Sequence, residues 1–272
     1  MLILNITNNM KKIILFILFN LNSYCQQKID IGFEARYELN FKEYKNQKPE
    51  YLKNTFILVF NKNESFFKNM SVYVKDSLVD AGKIKVTGDV QKDFITLGKY
   101  VPDFPYTVYK NYNSITFANN IPFAGDFRYN EKIDFKWKIT KGTKIINGIK
   151  CVRALTTKWG RNWIAFYSPN HPLPFGPYKF NGLPGLIFEV SDENKDYTFS
   201  LYRFKKRVKN NLLLHNYPKS ISVTKVKYEK IRKEVALHPS FIDGEKDSKV
   251  KKDMIKFSKE KELNYNPIEL TD

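Results

Sequence analysis

Two cysteines, Cys25 and Cys151, and three histidines, His171, His215 and His238, are the side chains of this 272-residue chain suited to nucleophilic or metal chemistry. A thiolate nucleophile needs a base within hydrogen-bond reach and a third group to orient that base. Cys151 lies in Ile149-Lys150-Cys151-Val152, an alternating stretch that reads as a strand with the thiol as a small buried hydrophobe. A Cys151/His171/Asp arrangement is conceivable across a hairpin, but no spacing argues for it. The histidines stand far apart in none of the spacings that hold a metal, so no metal is expected. His171 sits between prolines in a loop, where a bond to a backbone carbonyl is the plain expectation. No serine occupies a nucleophile elbow. Gly182-x-x-Gly185 lacks the Lys-Ser/Thr pair that grips phosphate, so its glycines are conformational and no cofactor is expected. Glu189, and Glu131 with Asp134, are possible paired carboxylates that read more simply as strand-edge charges. No catalytic residue is assigned; a hydrolase using Cys151 or His171 is the alternative to a binding protein.

Binding chemistry is better represented. Trp159, Trp163, Phe166, Tyr167, Phe175, Tyr178 and Phe180 crowd about twenty residues around Arg161 and His171. Aromatic rings on a stiff loop beside a sheet can line an apolar groove for acyl chains, peptides or sugars. The competing reading is that this loop folds back to plug the sheet, and its rings are core. Arg161, flanked by Trp159 and Trp163, is placed to stack on an indole. Arg161, Trp163, Phe166, Tyr167, His171, Phe175, Tyr178 and Phe180 are the candidate ligand-binding residues.

The elements that would position them are mainly β. Ile31, Phe33, Ala35, Tyr37, Leu39 and Phe41 alternate along a long half-buried strand. Thr55–Phe60, after the Pro49 break, reads as a more fully buried strand. Ser65–Phe67 and Ser71–Val74 continue the β signal, and Ser77–Val90 is ambiguous between helix and loop. Tyr106–Tyr112 and Ser114–Ala118 flank a turn at Asn113, and Ile133–Thr140 is a further strand with Phe135, Trp137 and Ile139 on one face. Asn147-Gly148 between alternating runs is a strong hairpin signal, joining Thr143–Ile146 to Ile149–Thr157. A turn near Trp159-Gly160 then leads to Asn162–Ser168. Residues 169–185 hold Pro169, Pro172, Pro174, Pro177 and Pro184, a density that only an extended, ordered loop accommodates. Gly182-Leu183-Pro184-Gly185-Leu186-Ile187 bends the backbone and feeds it into the strand Leu186–Val190, followed by Tyr197–Lys206. Lys225–Leu237 and Lys246–Lys261 are lysine-rich with apolar residues such as Val250, Met254 and Phe257 at helical spacing. Asn266–Leu270 is extended. The expectation is a mainly β (α+β) fold, a large curved antiparallel sheet or open half-barrel with a few helices, its C-terminal third partly helical.

The start of the chain reads as a secretory signal over residues 1–25. Lys11 and Lys12 precede the apolar run Ile13–Phe19, and Ser23-Tyr24-Cys25 supplies a small-x-small site. Met10 serves equally well as the true start. Cleavage after Cys25 leaves Gln26 first; the rival reading makes Cys25 a lipid-modified residue. The apolar run is short for a membrane span of roughly 20 residues, so residues 26–272 are expected to form a single exported domain without a transmembrane span. Cys151 would then be alone, with no internal disulfide. The net charge of +18 invites a nucleic-acid partner, but only 7 of 46 basic residues are arginine, the residue favoured for base and phosphate forks. Nucleic acid is not expected; attraction to anionic surfaces is.

The run Gly182–Ile187 resembles, almost letter for letter, the signature of the GLPGLI family of exported bacterial proteins. Trp137-Lys138-Ile139 is similar to that family's tryptophan strand, and Ile146–Ala154 to its glycine-cysteine-alanine hairpin. Gly160-Arg161, Ala165-Phe166-Tyr167-Ser168, Pro172, Pro174, Gly176-Pro177 and the terminal Asn-Pro-Ile-Glu-Leu follow in the family's order. Phe166 departs from it by replacing a tryptophan. The resemblance implies export to the periplasm, the outer membrane or the medium, a β-rich fold and an unassigned role. It also implies kinship to the open half-barrels of envelope lipoprotein carriers. The resulting expectation is a non-enzymatic carrier of a lipid or peptide ligand, acting with an outer-membrane receptor; the alternative is an assembly factor docking on an envelope protein through its basic C-terminal helices.

Overall fold

In a computed structural model, the described residues are 28–46, 51–111, 114–122, 124–132, 134–213 and 220–271. The signal segment with Cys25 and Gln26, the Pro49 break, the Asn113 turn and His215 lie outside them. Twelve strands form one sheet: β1 (Lys28–Phe41), β2 (Leu52–Phe60), β3 (Ser65–Asn69), β4 (Thr107–Lys110), β5 (Ile115–Ile121), β6 (Gly125–Glu131), β7 (Lys138–Ile146), β8 (Ile149–Lys158), β9 (Arg161–Ser168), β10 (Leu186–Asp192), β11 (Tyr197–Leu213) and β12 (Ile221–Ser222). Their order is β12-β6-β5-β4-β3-β2-β1-β11-β10-β9-β8-β7. Two antiparallel meanders, β1–β6 and β7–β11, therefore fuse along one long seam where β1 pairs with β11. Only β12 joins in parallel, against β6. The end strands β12 and β7 do not pair, so the sheet is open and not a closed barrel. Register shifts within β1–β11, β9–β10 and β7–β8 mark bulges, which add twist and curl the sheet.

The curl gives the sheet a concave side that holds the main core. Ala35, Tyr37, Leu39 and Phe41 of β1, Phe56, Leu58 and Phe60 of β2, Trp163 and Ala165 of β9, and Phe199 of β11 all belong to it. The other face carries a smaller cluster of Ile31, Ile57, Val59, Phe66 and Tyr109. β2 is thus buried on both faces, which explains why Phe56–Phe60 is uninterruptedly apolar.

Among the described residues four α-helices complete the fold: α1 (Met70–Asp80), α2 (Val90–Leu97), α3 (Lys225–Leu237) and α4 (Ser248–Asn264). The expected strand Ser71–Val74 is instead the first turns of α1. Asn69 caps it by accepting from Ser71 N at 2.9 Å, and Met70 and Tyr73, three apart, pack on the outer cluster. A short apolar run fits either period, and here the cap decides. The expected strand Ile133–Thr140 is regular only from Lys138; Phe135 and Trp137 lie in an irregular segment, stacked at 5.3 Å. β6 had no counterpart in the sequence reading, although Phe127 and Tyr129 alternate along it.

The glycines of the 182–187 signature have separate reasons. A Cβ on Gly185 would stand 2.1 Å from the carbonyl oxygen of Ser168, closer than any real contact, because β10 comes in to pair with the end of β9 there, Leu186 opposite Ser168. Gly182 has φ +85° and open space around it. Gly185→Ala should therefore cost about 3 kcal/mol or more by overpacking against backbone, while Gly182→Ala costs about 1 kcal/mol for its left-handed backbone. Urea unfolding of the two variants checks this order.

Candidate functional site

The proline-rich segment 169–185 is an ordered plug on the concave side. It pinches itself shut where Gly182 N donates to Pro174 O at 3.2 Å, and Phe175 and Asn181 form an isolated bridge. Between those points Pro177–Phe180 dips into the core; Tyr178 is 3% exposed, and Lys179 and Phe180 are fully buried. The rings expected to line a groove are thus core. Trp163 meets Phe180 edge-on at 4.7 Å, Phe175 packs on Phe60 at 5.6 Å, and Tyr167 is buried on β9. Phe166 is the exception, half-buried on the opposite face of β9 under the Lys144 ammonium, 5.4 Å from its centroid. The plug reading describes most of these rings, while Tyr178 and Phe175 also line pockets on either side of the loop.

A buried irregular loop needs donors for its carbonyls. Lys110 of β4 supplies them: its Nζ donates to the carbonyls of Gly176, Tyr178 and Phe180 at 2.8, 3.0 and 3.0 Å. Burial pushes this ammonium down to about 7, but all three of its protons are held by acceptors. Lys179 reaches the other way, from the loop into the core. It donates to Tyr129 Oη at 2.9 Å and pairs with Glu131 and with Glu269 (2.6 Å). The rings of Phe117, Tyr129, Trp159 and Tyr178 stand within 6 Å of its charge.

Arg161 does not stack on an indole as the sequence suggested. It lies over Tyr197, 5.1 Å from the ring, and grips the extended segment 265–271 that crosses the sheet mouth. Nη2 donates to Asn266 Oδ1 (2.6 Å) and Pro267 O (2.8 Å), and Nε to Ile268 O (3.2 Å). Nη1 pairs with Asp192 at 3.1 Å and Asp196 at 3.2 Å. Tyr178 Oη donates to Glu269 at 2.5 Å, and Leu270 N to Trp159 O at 2.9 Å, completing the strap. Burial alone would raise the Glu269 carboxyl, but Lys179 and Lys225 hold it below the usual carboxylate range.

The nucleophile candidates are not assembled. Cys151 is fully buried, and burial pushes its thiol up to about 11, so it stays protonated and shielded at neutral pH. His171 Nδ1 lies 2.9 Å from Ser168 Oγ rather than on a carbonyl, with its ring against Phe188 and Phe204. Glu189 is taken by Lys144 at 2.8 Å. His238 caps the end of α3. Among the described residues no group of three or more His, Cys, Asp or Glu is placed to hold a metal.

A partly open pocket with about 140 Å³ of space lies between the sheet, α3 and the strap. Phe41, Phe104, Tyr106, Phe117, Tyr129, Tyr178, Tyr228 and Tyr265 supply its rings, and Pro267, Ile268 and Glu269 of the strap form one wall. Asn119 donates its amide to Tyr228 Oη at 2.8 Å, leaving Oδ1 buried with no hydrogen-bond partner. Tyr106, 5% exposed, makes no hydrogen bond through its hydroxyl among the described residues, nor does Tyr265. Of these groups only Asn119 Oδ1 is a buried atom without a partner; the two tyrosines line the pocket. Sequence reasoning missed this site because its residues come from β1 through the strap, and no local motif gathers them.

Two outcomes follow from the buried charges. Lys110→Met should cost about 3 kcal/mol or more in denaturant unfolding, since three buried carbonyls lose their donor. Glu269 has a depressed folded pKa, so its contribution is present above its unfolded value and is lost as pH falls through the folded one. The stability gap between wild type and Glu269→Gln should accordingly be widest near neutrality and close in acid, read from unfolding curves across pH.

No protein-family model matches the chain, and no curated protein matches it. Among solved structures it is similar to PNGF-II in two crystal forms. For the P21 form the TM-score is 0.51 at 14% identity, covering 74% of this chain and 33% of that one; for the C2 form it is 0.50 at 14% identity, covering 74% and 32%. The chain therefore spans about a third of the length of the structures it matches. At that identity the likeness is one of fold: the open, mainly β architecture is shared with PNGF-II.

Proposed function

We infer that this is an exported cell-envelope protein of the GLPGLI type that binds a ligand rather than converting one, in the manner of a carrier serving an outer-membrane receptor. The export and family readings rest on the signal-like residues 1–25 and on the signature Gly182–Ile187. The binding reading rests on one observation, the ring-lined pocket beside Asn119, whose Oδ1 is buried without a partner. Leaving a buried polar atom without a partner costs about 1–3 kcal/mol, a cost that a ligand able to pair it would relieve. A cavity of about 140 Å³ admits a small apolar group or one side chain of a peptide, not a whole acyl chain. Cys151 is buried with its thiol pushed up to about 11, and the hydrogen bond of His171 goes to Ser168 Oγ instead, which weighs against hydrolysis by Cys151.

Native mass spectrometry of the protein taken gently from its own envelope tests the reading. The expected spectrum carries a small-molecule or peptide adduct that is lost in Asn119→Leu, on a chain beginning at Gln26 or at a lipid-modified Cys25. A clean apo mass for the wild type, with the chain still carrying residues 1–25, would overturn both binding and export.

A further inference from the structure

The outer face of the β1–β11 seam gathers arginines that lie far apart in the sequence. Glu34 and Arg36 alternate on β1 with the inward Ala35 and Tyr37, so both side chains stand on the outer face. The register sets Lys205 opposite Glu34 and Arg203 opposite Arg36. Glu34 is fully buried and is met by three cations. Arg36 Nε donates to its Oε1 at 2.7 Å, Arg207 Nη2 stands 2.6 Å from Oε2, and Lys205 Nζ 3.7 Å from that same oxygen. Arg203 adds a fourth cation; it is exposed and forms no ion pair or side-chain hydrogen bond among the described residues. The next carboxylates of this face are committed elsewhere, Glu38 to Lys53 at 3.6 Å and Glu189 to Lys144 at 2.8 Å. Three of the chain's seven arginines thus converge on one carboxylate. The burial of Glu34 accounts for Arg36 and Arg207. It does not account for Arg203, whose charge faces Arg36 across the strands, an arrangement that is repulsive by itself.

We propose that this outer-face cluster binds a phosphate group, bridged between the guanidiniums of Arg36 and Arg203 with Lys205 beside them. Guanidinium forks match phosphate oxygens in pairs, and a phosphate has oxygens enough for both forks at once. A carboxylate fills only one fork, and its single charge offsets less of the excess. Glu34 acts as a positioning residue: it takes Arg36 through Nε, so the two Nη groups of that guanidinium remain for a ligand. The site lies on the face of the sheet opposite the ring-lined pocket and is independent of it. Such a phosphate comes either from the free ion or from a lipid headgroup.

Isothermal titration of the full chain with inorganic phosphate and with acetate, at neutral pH and matched ionic strength, tests the site. Phosphate should bind at least about tenfold more tightly than acetate, and Arg203→Gln should weaken it about tenfold, the scale of one hydrogen bond to a charged group. Lys252→Gln makes the same change of charge on α4, outside the cluster, and should leave phosphate binding as it is. Thermal unfolding separates a structural role. Without phosphate, Arg203→Gln should melt no lower than wild type, since it removes a like-charge contact; with phosphate, only wild type should gain. Equal affinity for phosphate and acetate, or equal loss in the two variants, would overturn the proposal in favour of general positive charge. A lower melting temperature for Arg203→Gln without phosphate would overturn it too. Flotation with phosphatidylcholine vesicles containing phosphatidic acid distinguishes the sources. Retention of wild type but not Arg203→Gln marks a lipid headgroup, phosphate binding without such retention marks the free ion, and binding to neither sinks the site.

Discussion

Three hydrogen bonds from one ammonium, Lys110 Nζ to the carbonyls of Gly176, Tyr178 and Phe180, are the constraint on which the rest of the arrangement depends. An open twelve-stranded sheet with a deep apolar concave side must cover that side, and this chain covers it largely with a loop. A helix or strand arrives with its backbone already paired; a loop does not. Pro177 has no amide proton to satisfy, and the carbonyls on either side of it turn toward a single donor. Without that donor the buried turn would expose carbonyls to an apolar interior, and Tyr178, Lys179 and Phe180 could not hold their places.

The loop in turn organises what lies over it. Lys179 and Tyr178, once placed, present an ammonium and a hydroxyl to Glu269, while Arg161 takes the backbone of Pro267 and Ile268. Each of these charged groups is nine-tenths buried or more at Arg161 and Lys179, so each must be fully paired to be tolerated. The strap is therefore selected by charge and hydrogen bonding more than by apolar contact. Its sequence, Asn-Pro-Ile-Glu, reads as the complement of that set: an amide for the guanidinium, one buried isoleucine, and a carboxylate for the lysine.

Much of the fold was legible because a half-buried sheet imposes period two on its sequence. β1, β8, β9, β10 and β11 follow from alternation, and the β7–β8 turn from Asn147-Gly148, with Asn147 at φ +50° as such a turn requires. What failed was local ambiguity. Ser71–Val74 was settled by the Asn69 cap and by contacts of Met70 and Tyr73 that four residues cannot reveal. The candidate site was legible only by composition. The aromatic cluster at 159–180 was real, but whether rings line a groove or fill a core depends on where Lys110 sits, 66 residues before Gly176. The cavity is harder still, since Tyr106, Asn119, Tyr228 and Tyr265 are brought together only by the sheet, α3 and the strap.

A basic surface around an acidic, ring-lined cavity has a consequence for selectivity. At an ionic strength near 0.15 M, charges more than about 8 Å apart are largely screened in solvent, so the surface lysines do little to repel a small cation at short range. Inside the cavity the screening is weaker, and Tyr106, Tyr178 and Tyr228, all nearly buried, face any guest across low-dielectric space. Exposed Val250 and Phe257 on the lysine-rich α4, which has no buried residue, lie away from the core and add apolar area to that basic exterior. Carboxylates at the pocket and lysines on the exterior thus stand on opposite sides of the charge balance, and the sheet with its loop plug separates them.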